Sequence, residues 1–428
     1  MPEAGRTMAE KVLARTSGRA AVEAGDTVTC RADRVMAHEA FTICALKLVG
    51  LGIDRVFDPE KVLVILDHYF PCPNEKMARG HSMARDFVRR FGIRHFLGHA
   101  GICHQVLTER GHVLPGQLVF GTDSHSTTYG AIGAAGNGIG LTEMTYVLAT
   151  GELWLQVPST VRFVLQGELG GGLMSKDVIL HLAGRFGTDV AQYRAIEFTG
   201  PAARRMTIPS RMTMSNMGAE LGAKFAFFEA DDVACSYLRE RVPSQEVAPF
   251  GPDAGAAYEA SHEVDLSPLE PQIARPHNPG NAVAISEVEG VRVHQAFLGS
   301  CTNGRLEDLA VAAGILRGRK VADGTRLLVT PASRQVYLEA TRAGYSEILL
   351  EAGASITASG CGACPGGLGG VIGPGETCIS STNRNFRGRM GSVEAEVYLG
   401  SPASVAAAAV AGEIVDPRNF WNEPPARP

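Results

Sequence analysis

Short apolar runs and helix-patterned stretches alternate along nearly the whole chain, and this alternation restricts the fold more than any other feature. Residues 61–67, 117–121, 160–166, 293–298, 326–330, 354–358 and 394–399 read as strands, most of them rich in Val, Leu, Ile and Phe. Several are continuously apolar, the pattern of a strand covered on both faces. Residues 37–51, 76–91, 306–316, 334–343 and 402–411 read as helices lying between them. Parallel strands need long crossovers, usually helical, so the pattern predicts α/β layers with largely parallel sheets.

A length of 428 residues exceeds one ordinary domain. A weak break at 157–159 and a longer one at 244–281 predict three α/β/α-type domains: 1–158, 159–284 and 285–424. The longer break is rich in Pro, Ala, Gly, Ser and acids, lacks a helical period, and reads as a linker. The 50 glycines predict many tight turns and close backbone approaches.

A formal net charge of −5 leaves no basic footprint for nucleic acid or an anionic membrane. No apolar run has the length of a membrane span, and residues 1–20 are charged rather than signal-like. A cytoplasmic protein starting at Met1 or Met8 is expected. Nine cysteines without an export signal argue against a disulfide framework.

Chemistry-bearing residues cluster just after the predicted strands: Asp67-His68, His104, Asp123-Ser124-His125, Cys301 and Cys361-x-x-Cys364. The carboxyl edge of an open α/β sheet is where sites are built. Three cysteines from two strand ends are one short of a closed zinc or iron–sulfur cage. They suit a cluster with one open iron, a redox dithiol, or part of a zinc site. An imidazole beside a carboxylate can serve as an acid that expels hydroxide as water. Residues 381–390 hold Arg384, Arg387 and Arg389, whose guanidinium forks suit carboxylates or a basic surface turn. The glycine-rich stretch 130–140 lacks the order of a dinucleotide loop and predicts close packing beside Asp123–His125.

Taken in order, Gly121-Thr-Asp-Ser-His125, Asn216-Met-Gly-Ala-Glu220, Gly299-Ser-Cys-Thr-Asn-Gly-Arg305, Gly360-Cys-Gly-Ala-Cys364 and Ser381-Thr-Asn-Arg-Asn-Phe-Arg-Gly-Arg389 resemble the aconitase family of hydro-lyases. Within it, the likeness is to the large subunits of isopropylmalate dehydratases and homoaconitases. The resemblance implies one [4Fe–4S] cluster on Cys301, Cys361 and Cys364, with an iron left free for substrate. It implies catalytic roles for Asp67, His68, His104, Asp123, His125 and Glu220. His68 is the implied acid, and the implied pairs are Asp123 with His125 and His104 with Glu220. Ser124, Asn216, Asn383, Arg384 and Arg389 are the implied substrate-positioning groups.

The implied reaction moves a hydroxyl between adjacent carbons of a small hydroxy-carboxylate, best matched by 2-isopropylmalate in leucine synthesis. Homocitrate, 2,3-dimethylmalate and malate analogues are alternatives within the class. An iron-responsive RNA-binding protein and a plain electron carrier are alternatives outside it. Residues 69–74 (YFPCPN) and 363–367 (ACPGG) depart from the usual family pattern and bear on the substrate. The chain ends at Pro428, soon after the last α/β unit, so a separate small subunit carrying the mobile domain is the expected partner.

Overall fold

The computed structural model describes residues 5–421, in which three main sheets are joined by helical crossovers. Met1, one of the two candidate starts, and the end at Pro428 lie outside the described residues. The first sheet has five parallel strands in the order His95–Gly98, Val62–Ile65, Arg34–Ala37, Leu118–Gly121 and Ala135–Gly138. All four residues of Val62–Ile65 are buried, as its unbroken apolar run requires. The second sheet orders Phe225–Phe228, Ala195–Thr199, Thr160–Gln166 and Ala260–Asp265, again all parallel.

The third sheet has seven strands. Glu396–Leu399, Thr377–Ser380, Gln295–Gly299, Arg326–Thr330 and Ser355–Ile356 run parallel. Gln272–Ala274 and Ala282–Ala284 extend it in antiparallel register. A separate two-stranded ribbon pairs Thr27–Arg31 with Glu152–Gln156.

Thr160–Gln166, Arg326–Thr330, Leu306–Leu316 and Pro402–Ala411 form where the sequence predicts them. Two regions differ. The stretch read as a linker supplies the edge strand Ala260–Asp265 and the strand Gln272–Ala274. The edge strand buries chiefly Val264, so it has no apolar run to announce it. The helix expected from residue 37 begins at Phe41, because Arg34–Ala37 is a strand and His38-Glu39 forms the turn after it.

Separate apolar clusters surround the sheets, built around Phe41, Val64 and Phe120, around Phe163, Phe198 and Phe228, and around Leu298, Val329 and Val405. A fourth cluster stitches the units together: Ile65 and Cys103 meet Met212, Ala332, Cys301 and Cys361. It lies beneath the site described below. The glycines of 130–140 serve that seam. A Cβ at Gly130 would lie 1.7 Å from the Ala226 carbonyl oxygen, and one at Gly136 would lie 1.9 Å from that of Ser126. The backbone beside Asp123–His125 is therefore closely packed, as expected, with no space for a side chain. No helix among the described residues is long and apolar enough to cross a membrane.

Candidate active site

The first sheet sends four segments from the carboxyl ends of its strands into one place: His38-Glu39, Asp67-His68, the turn and helix to His104, and Asp123–His125. His68 is central. Its Nδ1 lies 2.7 Å from Asp67 Oδ1 and its Nε2 lies 3.0 Å from Asp123 Oδ2. Burial opposes its charge, but the two carboxylates outweigh burial and hold the imidazolium well above the usual histidine range.

Asp123 gathers further partners. Its Oδ1 lies 3.1 Å from His104 Nε2 and accepts the His125 backbone N–H at 2.7 Å. Burial would raise its carboxyl, yet hydrogen bonds from His104, His125 and His68 keep it well below the ordinary range. The next carboxylate is Glu220, whose Oε1 lies 2.8 Å from His125 Nε2 and 2.8 Å from Arg384 Nε. Despite burial, His125 is raised and Glu220 lowered, as a charged pair requires.

Of the two implied pairs, Asp123 with His125 is present, whereas His104 faces Asp123 and Glu220 is met by His125 instead. The local cause is a cap. Asp123 precedes the 3-10 helix Ser124–Ile132 and its carboxylate accepts from that helix's first turn. His125 keeps its Nδ1 3.3 Å from Asp123 but turns its Nε2 to the second unit. Ser124 stays exposed at the mouth.

The third sheet supplies the opposite wall, also from carboxyl ends. Cys301 follows Gln295–Gly299, Cys361 and Cys364 follow Ser355–Ile356, and Asn383 and Arg384 follow Thr377–Ser380. Asp67 joins the walls: its carbonyl accepts from Cys361 N–H at 3.2 Å and its Oδ2 accepts from Cys103 N–H at 2.7 Å. All three cysteines are buried and free of disulfides.

Asn383 Nδ2 lies 3.2 Å from Cys301 Sγ and donates to Asn216 Oδ1 at 3.1 Å. Asn216 is fully buried and also engages Thr128 and Thr302. Its amide holds neighbouring site residues, whereas the resemblance implied contact with substrate. Arg389 Nη2 lies 4.0 Å from Cys364 Sγ, and its buried Nε has no hydrogen-bond partner among the described residues.

These residues fit a polynuclear iron–sulfur centre. One tetrahedral ion with bonds of ~2.3 Å would draw its sulfurs within about 4 Å of one another. Among the described residues, the three thiols do not gather with all sulfurs within 4.8 Å. Burial pushes the Cys361 thiol well up and that of Cys301 to about 11. Such thiols ionise readily only beside a cationic centre. The backbone is shaped to match. Ser300 adopts φ 71° immediately before Cys301, and Gly362, between the other two cysteines, has φ 59° and space only for hydrogen against Thr330.

Four residues in or beneath the site were not singled out from the sequence. His38 stacks on His68 with ring centroids 4.3 Å apart. Its Nδ1 accepts from Ala40 N–H while its Nε2 meets the Thr122 carbonyl, which favours the neutral Nε2–H tautomer. Glu39 Oε1 accepts the backbone N–H groups of both His68 and Tyr69 at 3.0 Å. Arg305 donates to the Cys301 carbonyl at 2.7 Å and to Gln105 at 3.1 Å. Lys176 reaches the Ser381 and Thr382 carbonyls. A polar pair after an apolar strand was the usable signal for His38-Glu39. Arg305 closes the Gly299–Arg305 motif, whereas Lys176 carried no signal beyond its residue type.

The sequence model of the aconitase family (aconitate hydratase) matches residues 10–291 and 286–412. The chain is 48% identical over 418 residues to 3-isopropylmalate dehydratase large subunit 1 of Methanopyrus kandleri, covering 97% of this chain and 100% of that one. It is 49% identical over 413 residues to a probable 3-isopropylmalate dehydratase large subunit of Methanothermobacter thermautotrophicus, covering 96% and 98%. The crystal structure of Thermococcus kodakaraensis aconitase X aligns with a TM-score of 0.52 at 13% identity, over 89% of this chain and 90% of that one, a likeness of fold alone. Family match, near full-length relatives and fold agree with the motifs, and the chain belongs to the aconitase family.

Proposed function

We propose that this chain is the cluster-bearing large subunit of a hydro-lyase converting 2-isopropylmalate to 3-isopropylmalate in leucine synthesis. The observation that carries the reading is the facing of two walls: three buried free thiols on one, and the Asp67–His68–Asp123 array on the other. Near full-length relatives named for this enzyme support it. Their description as large subunits supports a separate small-subunit partner.

Cys301, Cys361 and Cys364 would hold a [4Fe–4S] cluster, which when bound supplies a Lewis-acid iron for the substrate hydroxyl and carboxylate. Asp67 and Asp123 favour the charged form of His68, which gives its Nε2 proton, directed at Asp123 in the resting site, to the departing hydroxyl, which leaves as water. Asp67 keeps the ring oriented through Nδ1 during the transfer, while the Nε2 contact with Asp123 is given up to substrate. In the return direction neutral His68 accepts a proton from water as hydroxide adds to the neighbouring carbon. His104, His125 and Glu220 hold Asp123 and Arg384 in place. Arg384 and Arg389 offer forks for substrate carboxylates. The small subunit supplies the base for the carbon-bound proton and closes the site against water.

The test is reconstitution. The purified chain with its cluster is inactive alone, and activity rises and saturates as the cognate small subunit is added. A panel of 2-isopropylmalate, homocitrate and 2,3-dimethylmalate, followed by alkene absorbance, reads the substrate. Turnover by the isolated chain, or preference for another acid, would refute the corresponding part.

A further inference from the structure

Lys176 is a buried cation that the mechanism above does not use. It lies in the first turn of the helix Ser175–Phe186 and has no solvent exposure. A cation there is disfavoured twice, by lost hydration and by the positive end of the helix. Among the described residues, no carboxylate oxygen lies within 4.0 Å of its Nζ. The neighbouring Asp177 is turned elsewhere, accepting the backbone N–H groups of Met174 at 2.8 Å and Gln272 at 2.9 Å.

Lys176 Nζ donates instead to two carbonyl oxygens, that of Ser381 at 2.8 Å and that of Thr382 at 2.6 Å. These are the residues just before Asn383. The Asn383 amide spans two of the thiols, with Nδ2 3.2 Å from Cys301 Sγ and Oδ1 3.9 Å from Cys364 Sγ. A helix of the second unit therefore sets the loop that touches the sulfurs. Burial pushes the ammonium down to about 7, while Asp177, Cys301, Asp308 and Cys364 act in the opposite sense. An anionic assembly on those thiols is a natural counter-charge.

We propose that Lys176 is a positioning residue for the iron–sulfur centre: it fixes the Ser381–Thr382 backbone so that Asn383 meets the sulfurs, and its ammonium is the buried counter-charge of the thiolate-held cluster. This rests on the four-iron reading of Cys301, Cys361 and Cys364. A lysine that only braced the loop would affect folding and stability. One that also supplies charge affects the electron affinity of the cluster, because a nearby cation favours the more negative, reduced form.

The experiment compares wild-type chain with Lys176→Met and Lys176→Gln after anaerobic reconstitution. Iron and sulfide content, the cluster midpoint potential and the rate of iron loss in air are measured. Lys176→Met should keep its iron but shift the one-electron equilibrium about tenfold toward the oxidised form, ~59 mV lower in potential. Lys176→Gln, which retains a donor without charge, should show the same shift with slower iron loss than Lys176→Met. Full iron content with an unmoved potential in both variants would overturn the proposal. So would failure of both to fold when iron is supplied, which would make Lys176 a folding residue. A wild-type chain that assembles no four-iron chromophore would instead refute the cluster reading itself.

Discussion

The two walls of the site handle charge in opposite ways. On the first-sheet wall, imidazoles and carboxylates find partners within the chain: His68 with Asp67 and Asp123, His104 with Asp123, and His125 with Glu220. On the third-sheet wall Arg384 has a partner in Glu220, but burial raises the Cys301 and Cys361 thiols and Arg389 has an unpartnered buried Nε; behind that wall Lys176, from the second unit, meets only carbonyl oxygens. The difference separates two jobs. A wall that moves protons needs acids and bases poised against each other. A wall that grips an inorganic centre needs soft donors whose charge that centre satisfies.

The comparison breaks most completely at the thiols. Replacing Cys301, Cys361 or Cys364 with Ser should abolish both the iron chromophore and activity, read by iron analysis and visible absorbance. Iron retained at full stoichiometry in any of the three would remove that cysteine from the ligand set.

His68→Gln should leave iron bound yet lower kcat by ~10²–10⁴-fold, the usual contribution of a general acid. The pH profile sharpens the point. Asp67 and Asp123 raise the His68 pKa, so wild-type activity should hold through the ordinary histidine range near ~6.5 and fall only at higher pH. Asp123→Asn removes one of the two anions and should move that alkaline limb to lower pH. A limb that stays fixed would show that another group is the acid.

Arg389→Lys replaces a fork by a point charge and should lower kcat/KM by about 10²-fold with iron content unchanged, the scale of losing ~3 kcal/mol of charge-assisted bonding. An unaltered kcat/KM would place the 381–389 turn outside substrate reach. The smallest effect is expected at Cys103, a buried thiol on the imidazole wall whose Sγ lies 3.7 Å from His104 Nδ1. Cys103→Ser should keep its iron and stay within about threefold of wild-type kcat, since one polar donor replaces another of similar size. Loss of iron in this variant would erase the distinction between the walls.

The α/β class was legible in the sequence because buried parallel strands such as Val62–Ile65 and Arg326–Thr330 are short, apolar and set off by turns. Ala260–Asp265 was not, because an edge strand with one buried residue resembles a polar linker. The cysteines and the Asp/His pairs stood out because their residue types are chemically distinctive and lie at strand ends. Their partners could not be read from spacing. That His125 meets Asp123 through Nδ1 and Glu220 through Nε2 depends on a capped 3-10 turn and on the packing of a separate unit. Lys176 was hidden because a lysine on a polar-looking helix start is ordinarily solvated, and its burial depends on the third sheet.

Asp67 ties its own side chain to His68 and the Cys103 amide, and its carbonyl to the Cys361 amide. That knot joins chain segments synthesised far apart in time. While the first unit emerges from the ribosome, the segment bearing Cys361 does not yet exist, and closing so long a loop must wait for both ends. Metallation is thereby placed late in biogenesis. Iron–sulfur assembly factors would meet a nearly complete chain, and a nascent one would offer them none of the three thiols in its final setting.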